Sequence, residues 1–148
     1  MQRRSFFLLG VFLLMLSSVA PLQAASRTVW SGLVIANNAE KPDAIPAELN
    51  PLEATLKNLF GYNQFKVIGQ SRKSLVSGSE DWLASSKYFS LHVDSKGSND
   101  AGYVLTLKLF QEKNLLLETD AKLSKASPLV IKGPQVGDGQ LLLVLVVQ

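Results

Sequence analysis

The strongest constraint on this chain is the run Leu141-Leu142-Leu143-Val144-Leu145-Val146-Val147, which is apolar at every position. Successive side chains of a strand point to opposite faces, so a strand without a polar side needs cover on both. The run is far short of the ~20 residues with which a helix crosses a bilayer. Outer-membrane barrel strands alternate lipid-facing and lumen-facing residues, and this run does not. It therefore predicts a central strand inside a soluble two-layer or sandwich core.

The other segments read around that strand. Residues 27–36 are β-branched and aromatic enough for a first strand, and residues 37–46, with Pro42 and Pro46, read as a surface loop. One helix signature follows. Asn50 is placed to cap it, Pro51 suits the first helical position, and Glu53 completes a capping box. Leu52, Leu56, Leu59 and Phe60 then form one apolar stripe, and Gly61 supplies a left-handed stop. Beyond it, residues 65–70 predict a strand, with a weaker one near Leu75 and Val76. Residues 87–94 alternate, with Phe89, Leu91 and Val93 on one face. Residues 95–102 and 133–140 read as loops, and 129–132 as a short strand. Residues 103–111 and 115–123 predict a hairpin turning through Glu112-Lys113-Asn114, with Asn114 left-handed. Its register sets Lys108 opposite Glu118 and Phe110 opposite Leu116, both favourable cross-strand pairs. The fold class expected is α+β: a mainly antiparallel sheet of about six or seven strands with one short helix packed on one face.

The N-terminus predicts export. Arg3 and Arg4 precede an apolar run from Phe6 to Leu16, then Pro21 and the small residues Ala24 and Ala25. These are the three regions of a secretory signal peptide. Arg3-Arg4-Ser5-Phe6-Phe7 partly resembles the twin-arginine export motif, although ordinary Sec export suits the strongly apolar core better. The expected organisation is a signal peptide over residues 1–24, cleaved near Ala24, and a single β-rich globular domain over 25–148. The destination is periplasmic or extracellular, with no membrane span after cleavage.

Composition narrows the chemistry. With no cysteine among 148 residues there is no disulfide, thiolate nucleophile or Cys-ligated metal, and a single His builds no multi-histidine centre. Residues 1–24 hold Arg3 and Arg4 but no acid, so their removal lowers the formal charge from +3 by two, to +1. A nearly neutral domain lacks the cationic surface on which nucleic-acid affinity depends. No cofactor is implied.

Several constellations carry residue types that could form a site. Ser90, His92 and Asp94 share a strand face, but residues two apart stand ~7 Å from one another, too far for a direct Ser–His hydrogen bond. They read as a solvated polar face. The glycines from Gly133 to Gly139 precede no helix, the context a phosphate loop requires. The stretch Asp94-Ser95-Lys96-Gly97-Ser98-Asn99-Asp100 offers oxygen ligands, yet Lys96 stands where a calcium loop places Asp or Asn. Spacing gives no reason to group Trp30, Tyr62, Trp82, Tyr88 and Tyr103. No catalytic, metal or cofactor residue is assigned.

One positive signal remains. Val104, Phe110 and Leu116 fall on the nominally outward face of the hairpin, too apolar for a freely solvated sheet. Either a second layer or a partner must cover them. The expected function is accordingly non-enzymatic: an exported domain that binds another envelope or secreted protein, in an oligomeric state the sequence leaves open. The alternative is a carrier holding a small apolar ligand between sheet and helix.

Overall fold

The computed structural model describes residues 28–148. The expected signal peptide and its cleavage point lie outside the described residues. The strands are β1 (Val29–Asn37), β2 (Gln64–Lys73), β3 (Glu80–Ser85), β4 (Phe89–Asn99), β5 (Gly102–Gln111), β6 (Asn114–Ser124), β7 (Leu129–Val136) and β8 (Gly139–Val147). Between β1 and β2 a 3-10 turn, Ala47–Leu52, leads into helix α1, Glu53–Phe60. All pairings are antiparallel. They form two four-stranded sheets: sheet A in the order β2-β1-β8-β7, and sheet B in the order β3-β4-β5-β6.

The apolar run lies in β8, between β1 and β7. Leu141, Leu143 and Leu145 point into a core shared with Val29, Leu33 and the inner face of sheet B, where Leu91, Leu105, Leu107 and Leu109 are buried. Leu142 and Val144 point the other way, into a second core with Val34, Leu49, Leu52 and Leu56 under the helix. The molecule is thus three layers deep, with helix, sheet A and sheet B stacked in that order. This corrects the single sheet of six or seven strands, for there are eight strands in two sheets. One short helix covers only one face of β8, so the other needs a second sheet, whose strands alternate because their far side meets water.

Where the sheets meet, Ser31 Oγ shares a hydrogen bond with Ser71 Oγ (2.9 Å) and accepts one from the Ala84 N–H (3.1 Å). Ser31 and Ala84 are fully buried, so this hydroxyl ties β1 to β2 and β3 inside the core. The strands come close enough there that a Cβ at Gly69 would collide with the Ser85 carbonyl.

The helix ends as expected: Gly61 is left-handed (φ 72°) and its N–H donates to the Lys57 carbonyl at 3.0 Å. Its start differs. Pro46 opens the 3-10 turn, with the Leu49 N–H on its carbonyl at 2.9 Å, so Asn50 and Pro51 lie within that turn and make no side-chain cap. Leu59 is exposed rather than part of the buried stripe.

Both glycine-rich loops are mostly strand. Residues 95–99 continue β4 through a bulge at Lys96, and Asn99 Oδ1 accepts from the Ala101 and Gly102 N–H groups to close a tight turn. Residues 133–136 continue β7, an edge strand where a proline is tolerated. A bulge at Gly133-Pro134 leaves their carbonyls outside the ladder, and the buried Gln140 side chain donates to both.

Candidate functional site

Sheet B turns its alternate residues outward. Leu105, Leu107 and Leu109 of β5 are buried, so Val104, Lys108 and Phe110 belong to the opposite face. The β5–β6 register matches expectation at Lys108 and Glu118 but slips near the turn. Leu109 opposes Leu117, whereas Phe110 opposes Leu115 and Gln111 opposes Asn114. Leu116 is therefore the extra residue of a bulge, not the partner of Phe110. The turn is shorter than expected, and Glu112, not Asn114, carries the positive φ (55°).

From Phe110 an apolar row crosses the sheet. The Trp82 ring on β3 lies 5.6 Å from the Phe110 ring, and Leu115 continues the row onto β6. Trp82 is 50 % exposed and Leu115 49 %, with Leu116 beside them. The Glu112 N–H donates to the Tyr88 carbonyl at 3.0 Å, joining the β3–β4 and β5–β6 turns and placing exposed Tyr88 at the same end of the sheet. Val104 is also exposed, but it stands six residues along β5 from Phe110, about 20 Å at a strand's rise. Phe110 and Leu116 are brought together; Val104 is not.

The polar face beneath the row is less solvated than expected. Trp82 pairs with His92 across β3 and β4 and lies edge-on against its ring, with centroids 4.9 Å apart. The His92 side chain is only 14 % exposed as a result, and its Nε2 sits 3.4 Å from Glu80 Oε1. Its Nδ1 is buried without a hydrogen-bond partner. The Asp94 carboxylate is held by Lys96 at 3.1 Å. His92 thus pairs with Glu80 rather than with Ser90 or Asp94. Beside it, the Lys73 ammonium, hydrogen-bonded at 3.1 Å, holds the Asp81 carboxyl below the usual carboxylate range. The Trp82 N–H adds to that, and partial burial opposes it.

Trp82 escaped the sequence reading because β3 has no clean alternation: pairing slips between Trp82 and Ser85, so Leu83 and Ala84 are both buried. The other aromatics scatter. Trp30 is buried on the helix side and donates to Gln70 Oε1 at 2.9 Å, while Tyr62 and Tyr103 pack against different cores.

The layer that a carrier would have to open is filled by Leu49, Leu52, Leu56, Leu142 and Val144, all buried. Two concavities among the described residues are open grooves of about 310 and 330 Å³, one beside the β4–β5 turn and one between the 3-10 turn and the end of β8. Among the described residues, no cluster of three His, Asp or Glu side chains forms a metal site. No family model matches this chain, and neither a curated protein nor a solved structure matches it.

Proposed function

We propose that this is an exported, non-enzymatic binding domain whose recognition surface is the outward face of sheet B, and that its partner is another envelope or secreted protein. One observation carries the reading: exposed Trp82, Tyr88, Leu115 and Leu116 gather with Phe110 at one end of a single sheet, while the opposite face of that sheet packs into the core shared with sheet A. Contiguous exposed apolar surface of this kind marks interaction sites, and aromatic anchors dominate the energetics of protein interfaces. Val104 sits apart from this row and serves at most as a rim contact. The carrier alternative lacks comparable support, because a ligand cavity is concave and largely pre-formed.

The test is capture from the native envelope fraction with the wild-type domain, and with a Trp82→Ser/Leu115→Ser variant of unchanged circular dichroism. Proteins held by the wild type and lost by the variant support the proposal. An identical captured set from both forms refutes it.

A further inference from the structure

Four strands stand at sheet edges, β2 and β7 in sheet A, β3 and β6 in sheet B. Three are managed against further pairing. β2 and β3 close on one another where Gly69 meets Ser85, and β7 is interrupted by the Gly133-Pro134 bulge. β6 differs. It pairs with β5 without a register shift from Leu117 to Ser124 and contains no proline, and among the described residues its outer side is bridged only at its last residue, Ser124 to Ser127, leaving Leu117 to Leu123 unpaired there. An uninterrupted edge is a template for another strand.

Its side chains specify which strand. Glu118, Asp120 and Lys122 are exposed and lie on the outward face, opposite Lys108, Thr106 and Val104 of β5. Thr119, Ala121 and Leu123 point inward. Suppose that β6 meets its own copy antiparallel about a two-fold axis. Centring on Glu118, Asp120 or Lys122 sets a like charge against itself. Centring on Thr119 sets Glu118 against Asp120 twice. Centring on Ala121 sets Asp120 against Lys122 twice and the small Ala121 against itself, with Thr119 opposite Leu123, and stops short of Ser124, which is bridged to Ser127. Like charges directly opposite destabilise a pair and unlike charges stabilise it, so of these five registers only the last gains unlike pairs without any repulsion. Thr106 Oγ1 holds Asp120 Oδ1 at 2.7 Å, which fixes the carboxylate on the outward face for such a contact.

We propose that β6 pairs with β6 of a second copy of this chain, centred on Ala121, joining the two B sheets into one of eight strands. The closure is isologous, as a two-fold dimer requires. The apolar rows, which begin at Leu115 and Leu116, stay outside this contact and end on the two far flanks of the joined sheet. This inference is independent of the proposed function: a monomer still presents its row, and a dimer presents two.

Sedimentation and light scattering on the purified protein test it. The wild type should show twice the mass of one chain, with an association that weakens as salt rises. Lys122→Asp and Asp120→Lys should each raise the dissociation constant at least tenfold, and the swapped double variant D120K/K122D should restore it. Lys122 makes no side-chain hydrogen bond or ion pair among the described residues, so its variant leaves the fold intact. A single-chain mass for the wild type at submillimolar concentration overturns the proposal. So does a double variant that stays as weak as the single ones.

Discussion

Leu142 and Leu143 are neighbours in sequence, yet they belong to different cores. Leu142 packs under the helix with Leu49, Leu52 and Leu56, and Leu143 packs between the sheets with Leu33, Leu107 and Leu109; neither has exposed surface. In an ordinary half-solvated strand one of two adjacent positions would tolerate truncation. Here Leu142→Ala and Leu143→Ala should each cost about 3–5 kcal/mol, the sum of lost transfer energy and the cavity left in a packed layer. With a urea slope near ~1.5 kcal/mol/M, that is a fall of about 2–3 M in the denaturation midpoint. The side chains share no cluster, so the double variant should lose about 6–10 kcal/mol, most or all of a domain's ~5–15 kcal/mol. Equilibrium urea unfolding followed by tryptophan fluorescence reads all three. If either single variant costs less than ~1 kcal/mol, one face of β8 is open to water or collapses freely, and the three-layer account is wrong.

Two further predictions follow from polar groups. Ser31→Ala strands the buried Ala84 N–H and removes a partner from Ser71; it should cost about 1–3 kcal/mol in the same assay, and a neutral result would show that this tie between the sheets contributes nothing. Asp81 is ionised more readily folded than unfolded, so its contribution is present above the unfolded carboxylate value and disappears as pH falls through the lower folded one. The Lys73 contact is exposed, so Asp81→Asn should cost under ~1 kcal/mol at neutral pH, and the gap to wild type should close as pH falls below the usual carboxylate range; a gap that widens in acid would contradict the assignment.

Legibility followed how local each cause was. The double-sided burial of β8 was readable because seven apolar residues admit no solvated face. The alternation of Phe89, Leu91 and Val93 and the Lys108–Glu118 pairing were readable for the same kind of reason, since period-two patterning fixes face and register. What escaped depends on contacts distant in sequence or on single inserted residues. Dividing the strands between two sheets depends on which strands find β8, and no local pattern states that. The bulge at Leu116 shifts the hairpin end by one residue, moving Leu115 into the place expected for Leu116. Asn50 carried a true capping signature, but Pro46 started the turn earlier and left it inside. Trp82, the largest exposed side chain of the candidate surface, sits on a strand whose slipped pairing erased its period.

The strand order also dictates when each half of the molecule can form. Sheet B is a meander, each strand bonded to the next in sequence, so its hairpins need only short loops to close. Sheet A is completed by β1 pairing with β8, from Val29 against Val147 to Ala36 against Gln140, which joins the two ends of the described chain. Closing so long a loop is entropically costly and slow. Until β8 arrives, β1 has only β2 beside it, and the inner face of sheet B remains uncovered. A chain built this way stays incompletely folded until its last strand emerges, the condition in which a polypeptide can still be threaded through a narrow passage.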